Sequence, residues 1–247
     1  GAPSRGVIHS NLISINTDFN IPSSNSSIDH DTHQKTHPDD LSHSVKLALL
    51  NVRSAEKKSI EIVDNMTDNN LDIVTLTETW MGPAGENKVA EGTLCPPGYD
   101  LLLCSRPTGQ KGGGVALLAR SSFSSKIVTP NFQPKTFELL DASLKINHKS
   151  VTLLVIYRPP PNTKNNFTIE EFFMEFSNLM ESKVLENHSI VIVGDFSFHV
   201  DDTKCPVAKR FLHLLSSFNL VNHVTGPTHA HDHTLDLIIT RTSDKII

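Results

Sequence analysis

Short, largely apolar runs that each close on a polar side chain recur along this chain, and they limit what it can fold into. Thr152–Ile156 is apolar enough throughout to be a strand covered on both faces, and it closes on Tyr157 before prolines 159, 160 and 161 stop it. Ser189–Val193 repeats the pattern and closes on Gly194-Asp195. Val45–Leu50 closes on Asn51, Leu71–Leu76 leads to Glu78, and Asp236 stands near the start of the run Leu235–Ile239. One polar residue after a strand is ordinary turn chemistry. Five in one chain imply a layered protein with its chemistry at the strand tips, where a rigid strand fixes a group and a loop exposes it.

Between these strands the spacing changes to that of helices. Ile60, Ile62, Val63 and Met66 predict a helix over Ser54–Asn69; Ile169, Phe172, Phe173, Phe176, Leu179 and Met180 predict an amphipathic helix over Thr168–Leu185; another is expected over Val207–Phe218. Tyr99–Cys104 and Val115–Ala119 read as strands, the second entered through Gly112-Gly113-Gly114. Leu139–Ile146 and Val151–Tyr157 read as a hairpin about Asn147-His148. Residues 1–44 are polar, rich in Ser, Asn, Asp, His and Pro, and are expected to be a disordered or weakly ordered leader to a domain over 45–247. The chain opens on Gly rather than Met, as expected of a fragment or processed product.

Composition narrows the function classes. No apolar run is long enough to span a bilayer, so no membrane partner is expected. Three widely spaced cysteines, 95, 104 and 205, fit neither a disulfide framework nor a Cys-rich zinc site and point to a reducing compartment, nuclear or cytoplasmic. The net charge of −5 argues against a protein that coats nucleic acid non-specifically, but suits an enzyme whose cleft holds carboxylates for a metal.

In order, Leu50-Asn51-Val52-Arg53-Ser54, Thr77-Glu78-Thr79-Trp80, Gly113-Gly114-Val115-Ala116, Tyr157-Arg158-Pro159-Pro160, Gly194-Asp195-Phe196 and Thr234-Leu235-Asp236-Leu237-Ile238 resemble the motifs of the endonuclease/exonuclease/phosphatase superfamily. The wording is most similar to the AP-endonuclease-like domain of non-LTR (LINE-type) retrotransposons, and the resemblance runs from about Val45 to the end of the chain. It implies an α+β fold: a four-layer sandwich of two packed, mostly antiparallel sheets flanked by helices. It also implies a DNA endonuclease dependent on Mg²⁺ or Mn²⁺, with DNA as partner. Glu78, helped by Asn51, would bind the ion, since hard oxygen ligands suit it. Asp195 would orient or deprotonate the attacking water, Tyr157 would hydrogen-bond the phosphate, and Asp236 would orient a catalytic histidine. Asn51, Thr228 and Arg158 would contact substrate.

The pattern departs from the family in two places. Ser197 stands where the family has an amide-bearing Asn, so two N–H donors are replaced by one hydroxyl. Ser243-Asp244-Lys245 stands where the family has Ser-Asp-His and a last strand. The domain is therefore expected to be incomplete at its C-terminus, with one sheet edge unpaired, and to cleave weakly or not at all. The competing readings are a non-catalytic nucleic-acid-binding or interaction remnant and a phosphatase of the same superfamily. Arg106 and Lys111 are further candidates for contact with the DNA backbone. His229, His231 and His233, with His223 upstream, alternate as zinc ligands can, although a polar loop is the simpler reading.

Overall fold

The computed structural model describes residues 11–16, 44–106, 112–160, 167–228 and 233–244. Two sheets form. The first has the order β1 (Asn11–Asn16), β2 (Ser44–Asn51), β3 (Ile73–Thr77), β5 (Val115–Arg120), β4 (Tyr99–Cys104). The second runs β10 (Leu220–Asn222), β11 (Asp236–Arg241), β9 (Ser189–Asp195), β8 (Lys149–Tyr157), β7 (Glu138–Ile146), β6 (Lys126–Ile127). Each sheet holds one parallel pair, β2–β3 in the first and β8–β9 in the second; the other pairs are antiparallel. Helix α1 (Ala55–Asp68) with α2 (Lys88–Leu94) covers the first sheet, and α3 (Ile169–Lys183) with α4 (Pro206–Ser217) covers the second. The expected α+β, four-layer sandwich is what forms.

The layers follow from the two-residue period of a strand. Leu47 and Leu49 of β2 turn towards the second sheet and pack with Leu117, Leu153, Val155, Val191, Val193 and Ile238. The alternate residues Ala48 and Leu50 turn outward onto Ile62 and Met66 of α1. Likewise Leu154 and Ile156 of β8 turn outward onto Phe172 and Phe176 of α3, in a cluster that includes Phe196 and Phe211. Strands covered on both faces show no polar alternation, which is why these runs are apolar from end to end. A capping box starts α3: Thr168 Oγ1 accepts from the Glu171 N–H, and Glu171 accepts in return from the Thr168 N–H.

Within the polar segment expected to be a disordered or weakly ordered leader, Asn11–Asn16 forms β1, pairing antiparallel with β2 from Asn11 opposite Leu49 to Asn16 opposite Ser44. The ladder supplies backbone partners along the outer side of β2, which a sheet ending at β2 would leave unpaired. The lone prolines, asparagines and serines around that short segment hide it in the composition.

Candidate functional site

Parity places the site. Asn51 continues the row of Leu47 and Leu49; Tyr157 that of Leu153 and Val155; Asp195 that of Val191 and Val193; Asp236 precedes Ile238 by two. Each therefore points into the space between the sheets, where the apolar core gives way to polar groups at one end. Registration aligns them further. Tyr157 is paired with Asp195, Asp195 with Asp236, and Asn51 with Thr77, next to Glu78.

The two sheets meet through Asn51. Its Nδ2 donates to Glu78 Oε1 at 3.2 Å and to Asp195 Oδ2 at 2.9 Å. One amide thus bridges two carboxylates from different sheets and offsets their mutual repulsion. Burial raises the Asp195 carboxyl above the usual carboxylate range, with Glu78 adding to the rise; the amide and hydroxyl of Ser197 and the Asn51 amide work against it. Asp236 is pushed up to about 8, by burial first and then by Asp195. The Tyr157 phenol is raised far above its ordinary value by burial and by Glu78 and Asp195, so it stays protonated and able to donate. Asn51, Glu78, Tyr157, Asp195 and Asp236 therefore gather at one end of the space between the sheets.

Three other candidate residues are engaged within the fold. Ser197 is not a free donor: its N–H and Oγ both bond Asp195 Oδ1, at 2.8 and 3.1 Å, in a turn where Ser197 has φ +50°. Thr228 is buried, and its hydroxyl accepts from the Leu235 and Asp236 N–H groups at 2.9 and 3.0 Å, so it braces the start of β11. Arg158, expected to contact substrate, is only 5% exposed. Its guanidinium lies 4.3 Å from the centroid of the Phe198 ring, and Nη1 donates to the Phe196 carbonyl at 3.1 Å. Burial pulls it down to about 10. The aromatic face and the carbonyl hold it behind the turn that follows Asp195, facing away from solvent.

The sequence gives little sign of the groups around the rim. Glu138 pairs in register with Tyr157, is bonded by Arg106 and by the Gly114 N–H, and is raised by burial. Arg106 also lies over the Tyr157 ring, 5.8 Å from its centroid. Lys111, His229 and His231 lie outside the described residues. His233 stacks on His199 at 4.0 Å between centroids and pairs with Asp201 at 3.1 Å, while His223 bonds Thr240 Oγ1 at 2.8 Å. These contacts give each of them a partner without zinc.

No three His, Cys, Asp or Glu side chains among the described residues close around one ion position. A smaller donor set does fit a hard cation. Asn51 Oδ1 is buried without a partner among the described residues, beside a Glu78 carboxylate held at one oxygen by the Asn51 amide and approached at the other by Trp80 Nε1 at 3.4 Å. Mg²⁺ characteristically keeps several waters and takes only about one or two carboxylates plus substrate phosphate.

Residues 48–245 match the Endonuclease/Exonuclease/phosphatase family. The chain belongs to that family. Among curated proteins, the RNA-directed DNA polymerase from mobile element jockey of Drosophila melanogaster is 24% identical over 135 residues, 55% of this chain. The match covers only 14% of that relative's length. Among solved structures, the endonuclease domain of TRAS1, a telomere-specific non-LTR retrotransposon, superposes with a TM-score of 0.58 at 10% identity, covering 80% of this chain and 85% of that one. The 3′ phosphatase NExo from Neisseria, solved bound to a product DNA hairpin, superposes with a TM-score of 0.56 at 15% identity over 81% and 87% of the two chains. These superpositions establish the family fold, within which nucleases and phosphatases both occur. No helix among the described residues is long and apolar enough to cross a membrane.

Proposed function

We propose that this domain hydrolyses DNA phosphodiester bonds, slowly, with Mg²⁺ or Mn²⁺ held at Glu78 and Asn51. The observation that carries the reading is the Asn51 bridge, which brings Glu78 from one sheet and Asp195 from the other to a single point beside Tyr157. The retrotransposon and DNA-bound relatives favour DNA over a small phosphate ester. When bound, the cation would neutralise charge developing on the phosphate. Asp195, whose proton affinity burial raises, is suited to take a proton from an attacking water. Tyr157, kept protonated, donates a hydrogen bond to a phosphate oxygen.

The slowness is assigned to Ser197. Its hydroxyl and amide are engaged by Asp195, so no donor replaces the family's Asn amide. Loss of one such donor costs on the order of 10²–10³ in rate. The test is nicking of supercoiled plasmid with Mg²⁺ and with chelator. Faint Mg²⁺-dependent nicking is expected, absent in Glu78→Ala and Asp195→Ala and faster in Ser197→Asn. DNA binding with no nicking under any condition would leave the non-catalytic reading in its place. Turnover of small phosphate esters in preference to plasmid would favour the phosphatase.

A further inference from the structure

Trp80 is a large apolar side chain that the fold leaves 49% exposed, at the edge of the cleft. Its Nε1 is 3.4 Å from Glu78 Oε2, so the indole lies against a carboxylate of the site itself. Its exposure is not looseness. Glu78 and Trp80 both have positive φ, +54° and +55°, a conformation that residues with a Cβ avoid. The loop is held there from two sides: Ser54 and Ala55 donate to the carbonyls of Glu78 and Thr79 at 2.9 and 2.8 Å, while the amides of Thr79 and Trp80 donate to Gly114 and Gly113 at 3.1 and 2.8 Å. Gly114 packs so closely on Thr79 that a Cβ there would stand 2.4 Å from its Oγ1. A strained loop fixed on both flanks to present an indole to solvent is costly unless the indole has something to meet.

We infer that Trp80 is a stacking platform for a nucleobase flanking the scissile phosphate. This rests on the reading of the cleft as a DNA phosphodiester site. A phosphate at Glu78 puts the neighbouring base within reach of the indole, since stacked bases rise by only about 3.4 Å each. An indole face binds any base, and it competes with the base's own stacking partners. It therefore selects substrates whose flanking base is already unstacked: single strands, frayed ends, or flexible pyrimidine–purine steps. A protein partner for the same indole is the rival occupant, and the test separates the two.

Trp80 is the chain's single tryptophan, so its emission reports on this residue alone. The protein is titrated in chelator at low salt with a dye-labelled single-stranded deoxyoligonucleotide and with the same sequence as duplex. Anisotropy of the dye reports binding, and indole emission reports stacking. Quenching is expected to follow the anisotropy, with the single strand bound more tightly than the duplex. Trp80→Ala is expected to weaken single-strand binding about ten-fold, and Trp80→Phe to recover most of it. Saturating anisotropy with unchanged emission overturns the proposal while leaving the DNA reading intact, and points to a protein partner for the indole. No anisotropy change at all overturns the DNA reading and the proposal together. Wild-type emission needs no variant to fold, and far-UV circular dichroism checks those that are made.

Discussion

Asp236 sits opposite Asp195 in the second sheet, with Oδ1 buried and without a partner among the described residues. Its carboxyl is raised to about 8 from an ordinary value near 3.8. The folded form therefore holds its proton more tightly than the unfolded chain does. The stability this brings is complete below about pH 4 and is lost as pH rises through about 8, because ionising the buried group is unfavourable. Asp236→Asn removes that ionisation. In chelator, the variant's Tm is expected to match wild type near pH 4, then to exceed it by a margin that grows to pH 8 and levels off. At pH 8 the margin is expected to be several degrees for a domain of this size. A constant margin across the range would mean that the gain does not come from the charge. The motif singles out such a residue, but that one of its carboxyl oxygens goes unpartnered among the described residues was not legible: that depends on which groups the turn at Thr228 and the tip of β9 bring within reach. Arg158 makes the same point, since nothing in Tyr157-Arg158-Pro159-Pro160 tells that its guanidinium turns back onto Phe198.

Element by element, legibility tracked burial. The runs that became β2, β3, β8, β9 and β11, buried on both faces, announced themselves by composition, and α1, α3 and α4 by their spacing. The expected Thr168–Leu185 became Ile169–Lys183, and Val207–Phe218 became Pro206–Ser217. What escaped was short or polar: α2 has only Ala90 and Leu94 buried, β6 is two exposed residues, and β10 is three. The contact between β8 and β9 that aligns Tyr157 with Asp195 depends on Gly194. A Cβ there would stand 1.8 Å from the Ile156 carbonyl oxygen, which is backbone and cannot swing aside. Gly194→Ala is expected to push β9 from β8, lowering Tm by several degrees and abolishing nicking. An unchanged Tm in a thermal melt would show that the parallel pair has slack that the registration does not suggest.

At the scale of the whole molecule, the candidate site is the end of the inter-sheet core, so its geometry and the protein's stability share the same strands. Its charge also bears on the proposed DNA substrate. The chain carries −5, and the cleft gathers Glu78, Asp195, Asp236 and Glu138. Arg106 is bonded to Glu138, and Arg158 is buried. Arg53 is the exposed cation two residues beyond Asn51. A protein that neutralises Z phosphates gives a plot of log affinity against log salt with a slope of about −0.9Z for duplex DNA. With few cations among the described residues near the strand tips free to meet phosphate, Z is expected to be about 2, giving a slope near −2, where a basic DNA-binding surface making about 6–10 such contacts is several times steeper. On the proposed reading, affinity for duplex would then come from the cation at Glu78 and from base contacts, both local to the cleft. Anisotropy titrations from low to moderate salt measure the slope directly. Arg158→Met is expected to lower Tm without altering it, whereas Arg53→Ala is expected to reduce its magnitude by about one. A steep slope insensitive to Arg53 would place the DNA on a surface away from the tips of β2, β3, β8 and β9, and the cleft would lose its claim to the substrate.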